Sequence, residues 1–322
     1  MANIKDVARE AGVSVATVSR IMNDRGSISE KTRQKVYAVM KELNYQPNEM
    51  ARYLQTGRSS ILGLVIPYID HPFFSLLTAS ITTACYNRGY RLMLCTSSDH
   101  TEQEQDMVSM LRGNKVDGIL ITSRSESAHL YAELDMPVVS IERTIPQVPS
   151  VSCDNYAGGV LAAQALKKAG CHKALLISNK VKSFLPAELR CVGFQEECQR
   201  LNLPCAYYAL SPDDLRASGG FQPMLQQHQD VDGYFVTGDM LAVRLYRELR
   251  DCNRQTPHDF KLIGFDGLDI SEYFDISTVA QPIREMGELA VDTLLRRIDG
   301  QMVPSQAILP VRLISRSSTA AE

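Results

Sequence analysis

From residue 61 onwards, short apolar runs alternate with amphipathic stretches of helical length, and this alternation constrains the fold more than any other feature. Seven runs have the composition of strands that are buried on both faces, at residues 61–66, 91–95, 118–122, 137–141, 174–177, 233–237 and 262–265. Helical patterns separate them, at residues 74–88, 101–112, 156–169, 189–201, 240–252 and 284–298. The alternation predicts an α/β fold of doubly wound parallel sheets with right-handed crossovers.

The number of strand–helix units predicts two lobes. Seven or more units exceed one comfortable sheet, so we expect two similar lobes that meet near residues 153–156, with a second crossover near residues 281–284. In parallel sheets, ligands bind beyond the carboxyl ends of the strands, which between two lobes means the interlobe cleft. Candidate ligands therefore follow the strands, at residues 68–74, 97–99, 142–143, 238–239, 266 and 281.

The first 45 residues have no strand pattern and predict three short helices around one small core. Helix one covers residues 4–11 and stops at Gly12, which readily takes the positive φ of a tight turn. Helix two begins after Ser14, whose hydroxyl can cap the amide of Ala16 or Thr17, and helix three begins at Ser29. Helix, glycine turn and helix form the helix-turn-helix arrangement, whose second helix enters the major groove of DNA.

A further short helix is predicted after Pro47, where Asn48 can cap residues 49–55 and Gly57 ends the pattern. At about two turns it is marginal in water and needs a partner to be ordered. We therefore divide the chain into a head at residues 1–46, a hinge helix and linker at 47–58, and a body at 59–322 that binds effector and dimerises.

Charge is unevenly distributed between these parts. Residues 1–58 contain ten Lys and Arg against six Asp and Glu, a net charge of +4, so the rest of the chain carries −7. A basic head on an acidic body indicates a module that faces phosphates, attached to a domain that does not.

Several functional classes are disfavoured by what the sequence lacks. No apolar run approaches the roughly 18 residues of a membrane span, and the polar N-terminus is unlike a secretory signal, so we expect a cytoplasmic protein without membrane contact. Eight scattered cysteines form no CxxC pair or zinc spacing and predict reduced, mostly buried thiols. GxGxxG, HExxH and GxSxG are absent, so we predict no metal, no cofactor and no catalysis.

The head closely resembles the LacI/GalR family of transcriptional regulators. The matching residues are 4–8, 11–20, 23, 31–33, 43–45 and 47–48. The resemblance implies that Val15, Ala16 and Arg20 face base edges, while phosphates are touched by Ser14, Thr17, Ser19 and Asn23. Chemistry agrees, because Arg20 can donate two hydrogen bonds to guanine, whereas Val15 and Ala16 offer apolar contact.

The same resemblance assigns a sharper role to the hinge helix. Leu54 would be pushed from each subunit into a central minor-groove step and kink the duplex. Ala51 would sit beside it, because larger side chains could not enter, and Asn48 would cap the helix at the DNA.

The body resembles bacterial ribose-binding proteins, which implies a two-lobed, periplasmic-binding-protein-like domain. The matching stretches are residues 72–74, 138–143, 154–159, 187–190, 264–267 and 280–282. The resemblance implies a wall of Phe73 and Phe74 against the sugar ring, and four polar sugar ligands, which are Arg143, Arg190, Asp266 and Gln281.

Three positions depart from that pattern. His71 stands where relatives commonly have Asn, Glu142 replaces Asp, and Gly238 replaces a ligand Asn. His71, Glu142 and Asp239 remain effector-binding candidates, whereas Gly238 removes a hydrogen-bonding arm and opens space. Sucrose, another fructoside or a hexose is therefore as compatible with the sequence as ribose.

Together these features predict a non-enzymatic repressor of a sugar-utilisation operon. We expect a homodimer on a palindromic double-stranded operator, because the tail after Arg312 lacks the apolar heptads of a four-chain bundle. A sugar effector would shift the lobes, change the spacing of the hinge helices and release the DNA. Two alternatives stay open. One is a catabolite-type global regulator controlled by a phosphorylated partner protein docking at Arg296 and Arg297, and the other is a sugar-binding protein without regulatory role.

Overall fold

The computed structural model describes residues 2–22, 26–45, 57–98, 100–124, 128–179, 185–217 and 219–320. The chain divides into two compact units, Met1–Ser59 and Ser60–Glu322. We call the first unit the head and the second the body.

The head contains three helices whose start signals are visible in the sequence. They are α1 (Ile4–Glu10), α2 (Val15–Met22) and α3 (Glu30–Glu42). The Ser14 hydroxyl accepts from the amide of Thr17 at 3.1 Å and that of Ser29 from Thr32 at 3.3 Å, so both predicted caps are present. Gly12 has a φ of 62° in the turn between α1 and α2, which confirms the predicted tight turn.

One apolar cluster holds these three helices together. Its buried members are Val7, Ala8, Ala11, Val18, Ile21, Val36 and Val39. Val18 and Ile21 lie one turn apart on α2, so one face of this helix is used for packing and the opposite face is left to solvent. The head therefore presents the outer face of α2 on a rigid base.

The body contains ten α-helices among its described residues. They are α4 (Pro72–Asn87), α5 (Thr101–Gly113), α6 (Ala128–Ala132), α7 (Asn155–Lys168), α8 (Leu189–Arg200), α9 (Pro212–Arg216), α10 (Gln222–Gln227), α11 (Asp239–Asp251), α12 (Asp269–Tyr273) and α13 (Ile283–Ile298). Two 3₁₀ turns, Pro186–Glu188 and Ser317–Thr319, complete the helical segments.

Two six-stranded sheets form the two lobes. The first has the order β2 (Arg91–Thr96), β1 (Ile61–Ile66), β3 (Gly118–Ile121), β4 (Val138–Ile141), β5 (Ser150–Cys153) and β11 (Gln306–Leu309). The second has the order β7 (Cys205–Leu210), β6 (Ala174–Asn179), β8 (Gly233–Val236), β9 (Lys261–Asp266), β10 (Ser277–Ala280) and β12 (Arg312–Ile314). The strand order reverses beside β1 and β6, as in doubly wound sheets, and the predicted fold class is confirmed.

Two features of the sheets differ from the prediction. β12 pairs antiparallel with β10, so the second sheet is not wholly parallel. β2 is a largely accessible edge strand rather than a strand buried on both faces. Five strands were overlooked. Four of them, β5, β10, β11 and β12, are short and contain polar residues, whereas β7 is apolar throughout but lies half exposed at the sheet edge.

The chain passes between the two sheets three times. The first passage is at Asp154, between β5 and α7, and the second is at residues 281–282, between β10 and α13. Both agree with the predicted crossovers. The third, at residues 310–311 between β11 and β12, was not predicted, because neither of these strands was recognised.

Two glycines let α7 and α8 pack in direct backbone contact. A Cβ on Gly159 would lie 2.1 Å from the carbonyl oxygen of Arg190, and a Cβ on Gly193 would lie 2.2 Å from that of Tyr156. Gly158 faces the other way, towards the Phe265 ring of β9. The two adjacent glycines therefore serve helix–helix and helix–strand packing, and α8 is held where its first turn reaches the interlobe cleft.

No helix within the described residues is long and apolar enough to cross a membrane. All eight cysteines are free thiols, six buried and two exposed, and the exposed ones are Cys205 and Cys252. Among the described residues, His, Cys, Asp and Glu side chains nowhere gather in a group of three that could hold a metal ion.

Candidate functional site

A cavity of about 380 Å³ lies in the body where the carboxyl ends of strands from both sheets converge. His71 follows β1, Glu142 follows β4, Thr237 follows β8 and Asp266 ends β9, so each sheet contributes polar groups. The lining residues are Tyr68, His71, Phe73, Phe74, Thr122, Arg124, Glu142, Asn179, Leu185, Ala187, Arg190, Thr237, Gly238, Met240, Leu241, Asp266 and Gln281. The position agrees with the rule for ligand sites in doubly wound sheets.

Seven of the nine residues predicted to bind an effector line this cavity. They are His71, Phe73, Phe74, Glu142, Arg190, Asp266 and Gln281. The other two, Arg143 and Asp239, are buried outside it.

Aromatic rings from the start of α4 form one wall of the cavity. Phe73 and Phe74 pack edge to face with ring centroids 5.2 Å apart, and Tyr68 meets Phe74 in the same geometry at 5.2 Å. His71 caps α4, with Nδ1 accepting from the amide of Phe73 at 3.3 Å. Burial and nearby Arg124 lower the pKa of His71, so the ring is neutral at neutral pH and Nε2 carries the proton. The wall thus offers apolar faces and one donor.

Arg190, in the first turn of α8, is fixed on three sides. Its Nε and Nη2 donate to Asn155 Oδ1 at 2.9 and 2.6 Å, and its Nη1 donates to the Thr237 carbonyl at 3.0 Å. The guanidinium carbon lies 3.7 Å from the centroid of the Phe265 ring, which supports it from beneath. Asp266 Oδ1 lies 3.8 Å from Nη1. A planar donor held in this way is preorganised for sugar hydroxyls.

Asn155 joins the two lobes at the first passage. Its Nδ2 donates to Glu142 Oε2 at 3.0 Å in the first lobe, while its Oδ1 receives Arg190 from the second. Glu142 Oε1 also accepts from the Cys153 amide at 2.6 Å. The polar groups of the two lobes therefore form one continuous network.

Gln281, at the second passage, extends this network. Its Nε2 donates to Asp266 Oδ1 at 2.7 Å, and its Oε1 accepts from the Cys153 thiol at 3.2 Å. The first two interlobe passages are therefore hydrogen-bonded to each other at the base of the cavity. We call the residues of this network, Glu142, Cys153, Asn155, Arg190, Asp266 and Gln281, the interlobe network.

Two of the lining carboxylates stand on unusual backbone. Glu142 has a φ of 50° and Asp266 a φ of 115°, conformations that side chains other than glycine rarely adopt. Such strain persists where surrounding contacts fix the residue, and it is frequent at binding sites. Both carboxylates are thereby turned into the cavity.

Arg143 does not reach the cavity, although the resemblance implies a sugar ligand. The side chain is fully buried in the first lobe, where Nη1 donates to the Ser123 carbonyl at 2.6 Å and to its hydroxyl at 2.8 Å. Ser123 donates in turn to the buried Glu104 carboxylate at 2.6 Å. Consecutive residues at a strand end face opposite sides, so with Glu142 turned inward Arg143 points into the lobe.

Asp239, the first residue of α11, also lies behind the cavity. Its Oδ2 accepts from the Leu268 amide and its Oδ1 from the Thr278 hydroxyl, both at 2.7 Å. A Cβ on Gly264 would lie 2.2 Å from Oδ1, so only glycine leaves room for the carboxylate. Asp239 therefore supports the turn that follows Asp266 rather than lining the site.

The two buried aspartates influence each other. Burial and the Asp266 charge raise the pKa of Asp239 to about 8. Burial also raises the pKa of Asp266 to about 6, although Arg190 and Gln281 favour its charged form. Each carboxylate thus disfavours ionisation of the other, and the neighbouring Arg190 and Gln281 favour the charged form of Asp266.

Four polar lining residues were missed by the sequence argument: Thr122, Arg124, Asn179 and Thr237. The rule that ligands bind beyond the carboxyl ends of parallel strands applies to these residues too, because Thr122 and Arg124 follow β3 and Asn179 ends β6. Arg124 lies 5.8 Å from the centroid of the Phe74 ring and adds a second guanidinium to the site.

In the head, the predicted base-contacting residues share the outer face of α2. Val15, Ala16 and Arg20 are exposed, whereas Val18 and Ile21 on the opposite face are buried. Ser14 is exposed, and Thr17 and Ser19 are partly exposed beside them. The Ser14 and Thr17 hydroxyls lie 2.9 Å apart. Asn23, Asn48, Ala51 and Leu54 lie outside the described residues, so their assignments stay predictions.

Comparison with known proteins gives two family matches and close full-length relatives. Residues 3–48 match the family described as bacterial regulatory proteins, lacI family, and residues 163–319 match a periplasmic binding protein-like domain. The sucrose operon repressor of Streptococcus mutans is 37% identical over 321 residues, covering 99% of both chains. The ribose operon repressor of Bacillus subtilis is 34% identical and covers both chains completely.

Solved structures agree. The lac repressor dimer bound to operator and the anti-inducer ONPF is 27% identical, with a TM-score of 0.85 over 99% of both chains. A periplasmic binding protein/LacI transcriptional regulator from Alkaliphilus metalliredigens, complexed with D-xylulofuranose, is 31% identical with a TM-score of 0.73, covering 81% of this chain and all of its own. The identity to full-length repressors, together with the helix-turn-helix head, means that the chain belongs to the LacI family of bacterial regulatory proteins.

Proposed function

We propose that this protein represses a sucrose- or fructoside-utilisation operon as a cytoplasmic homodimer, and that the sugar releases it from a palindromic operator. It is a DNA-binding, sugar-regulated repressor of the LacI family and not an enzyme. The proposal of a sugar effector rests on the cavity. There the aromatic wall of the first lobe faces the Arg190 guanidinium and the Asp266 carboxylate of the second lobe. Paired donors and acceptors opposite an apolar face suit a sugar ring.

The shape of the cavity favours a ligand larger than ribose. Among the described residues, a Cβ on Gly238 would have one neighbour within 4 Å, Asp266 Oδ2 at 3.6 Å, so these residues leave space on this side of the cavity. Leu185, Met240 and Leu241 line it with apolar groups next to that opening. We infer that one sugar ring occupies the polar end and that a second ring extends towards the apolar end, as in sucrose. The full-length sucrose operon repressor relatives support this choice.

A homodimer is supported by the edges of the two sheets. Leu94 on the edge strand β2 and Leu76 on the adjacent α4 are exposed apolar residues of the first lobe, and Tyr207 on β7 is exposed in the second. Exposed apolar groups beside unpaired strand edges are typical of protein–protein interfaces. The similarity to a lac repressor dimer bound to operator supports the same assembly.

The experiment begins with selection of binding sites from a random duplex library by the purified protein. We expect a palindrome, whose affinity in a gel shift falls roughly 5- to 150-fold on addition of sucrose or fructose. Arg20→Ala should cost about 1–3 kcal/mol of specific binding, because it removes a bidentate base contact. Arg9→Ala is the matched control, since Arg9 is also exposed but lies on α1 and pairs with Asp6 at 2.9 Å. A palindrome whose affinity no carbohydrate alters would contradict the proposal.

A regulator controlled by a phosphorylated partner protein is the second candidate. Its suggested docking pair is occupied within the chain, because Arg297 Nη1 donates to the Val138 carbonyl at 3.0 Å and Arg296 Nη2 to that of Met302 at 3.2 Å. Both guanidiniums thus fix the end of α13. Absence of any thermal shift with sugars would favour this candidate.

A further inference from the structure

Two cysteines meet at a corner of the second lobe, away from the cavity. Cys198 lies in the last turn of α8, and Cys205 begins β7 after the connecting residues 201–204. The loop folds back tightly, with the Leu203 amide donating to the Cys198 carbonyl at 2.9 Å. Both side chains line the same surface cavity, where the Cys205 thiol donates to the Ala206 carbonyl at 3.3 Å. The two cysteines are therefore neighbours at one surface of the lobe.

The two thiols differ in accessibility and acidity. Cys205 is exposed, whereas Cys198 is 1% exposed. The interaction with Cys198 lowers the pKa of Cys205, and a backbone hydrogen bond at Leu176 acts in the same direction against burial. The same interaction, burial and the Cys205 and Glu197 charges raise the pKa of Cys198. An accessible thiol that ionises readily beside a protonated partner is the arrangement of a redox-sensitive pair.

We propose that Cys198 and Cys205 are a modification site, which a hydroperoxide converts into a reversible disulfide. The Cys205 thiolate attacks one peroxide oxygen, the O–O bond breaks, and the leaving alkoxide or hydroxide takes up a proton. Cys205 is then a sulfenic acid. The Cys198 sulfur attacks the Cys205 sulfur, the S–S bond forms as the S–O bond breaks, and the departing hydroxide leaves as water with the Cys198 proton. Two thiols thus supply the two electrons that the peroxide consumes.

The other exposed cysteine provides a matched control. Cys252 follows α11, and its sulfur lies 3.7 Å from Nε2 of Gln222. It is accessible to the same oxidant, but its hydrogen-bonding neighbour is an amide that cannot resolve a sulfenic acid. Reaction at Cys252 therefore measures simple exposure.

The experiment treats the purified full-length protein with hydrogen peroxide, blocks the remaining thiols and maps tryptic peptides by mass spectrometry. We expect two of the eight thiols to disappear and to return after dithiothreitol. Trypsin cleaves after Arg200, so the disulfide would join peptide 191–200 to peptide 201–216, and fragmentation distinguishes Cys198 from Cys191.

Three variants make the result decisive. Cys198→Ala should leave Cys205 as a sulfenic acid that dimedone traps, Cys205→Ser should abolish the cross-linked peptide, and Cys252→Ser should leave it unchanged. Circular dichroism of each variant establishes that the fold is retained. Because Cys205 is exposed, its variant is informative even if Cys198→Ala does not fold. Oxidation of Cys205 and Cys252 to equal extents without a cross-link, or a cross-link that survives in Cys205→Ser, would overturn the proposal.

Discussion

Asp266 is the carboxylate of the cavity that contacts both the Gln281 amide and the Arg190 guanidinium. It ends β9 on left-handed backbone, receives Gln281 at 2.7 Å and lies 3.8 Å from the Arg190 guanidinium. Burial raises its pKa to about 6. As a carboxylate it can accept two sugar hydroxyls, whereas the protonated acid loses an acceptor and its attraction for Arg190.

Sugar binding should therefore weaken in mild acid. Between about pH 7 and about pH 5 the charged fraction of Asp266 falls about tenfold, so the affinity for sucrose should fall by a similar factor. Isothermal titration at both pH values checks this, with Asp269→Asn as the control, because Asp269 is exposed three residues further on. Asp266→Asn should bind weakly at both values, and an unchanged pH dependence in that variant would rule the mechanism out.

Asp239 should make the folded protein less stable as pH rises. Its folded pKa of about 8 lies above the ordinary value of 3.8, so its contribution is full below pH 3.8 and is lost as pH rises through about 8. Denaturant titrations at about pH 6.5 and about pH 8 should show a loss of unfolding free energy of about 1 kcal/mol per pH unit. Asp239→Asn should remove most of this loss. If the unfolding free energy fell equally with pH in the wild type and in Asp239→Asn, the titrating group would be a residue other than Asp239.

At the scale of elements, the contact between α7 and α8 controls where Arg190 stands. Gly159 and Gly193 allow the two helices to touch along their backbones, and Arg190 lies one turn before Gly193. A side chain at either glycine would force the helices apart and move the guanidinium out of reach of Asn155. The position of Arg190, a proposed sugar-binding residue, thus depends on two glycines that do not line the cavity.

Gly159→Ala should destabilise the protein by about 1–3 kcal/mol through overpacking, and it should also weaken sugar binding. Gly113→Ala is the control, because Gly113 ends α5 with no atom within 4 Å of the added Cβ. That change should be neutral or stabilise by up to about 1 kcal/mol. Urea denaturation compares the two, and equal midpoints would show that the helices separate freely.

Elements with a long apolar or amphipathic pattern were predictable, and elements whose stability comes from their neighbours were not. The six long helices of the body begin and end within two residues of the predicted bounds. β10, with the sequence STVA, has no apolar run of its own and is buried only because β9 and β12 flank it. The same limit applies to the site. Strand ends and the family resemblance together identified seven lining residues, but which way Arg143 and Asp239 point depends on hydrogen-bond partners distant in the sequence: the Ser123 carbonyl accepts from Arg143, and the Thr278 hydroxyl donates to Asp239.

At the scale of the whole molecule, Asn155 links the two lobes through hydrogen bonds to two residues that line the cavity. It connects Glu142 of the first lobe to Arg190 of the second. Asn155→Ala should keep operator affinity near that of the wild type, while the release caused by saturating sucrose shrinks from the coupling range of about 5- to 150-fold towards one.

Asn179→Ala is the matched control, because Asn179 lines the cavity from the second lobe alone, at the end of β6. It should raise the sucrose concentration needed but leave full release at saturation. Fluorescence anisotropy with labelled operator separates the two variants. If saturating sucrose released Asn155→Ala fully from the operator, the interlobe network would not be needed to couple sugar binding to DNA release.

The three passages between the sheets limit how the lobes can move. Segments at Asp154, residues 281–282 and residues 310–311 join the two lobes side by side, so we expect the lobes to bend about one axis rather than to slide. Ligands of different shape would then all change the same quantity, the angle between the two lobes. If the lobes move only by bending, substitutions of lining residues such as Gly238 can change the sugar specificity while the coupling between the lobe angle and DNA binding is retained.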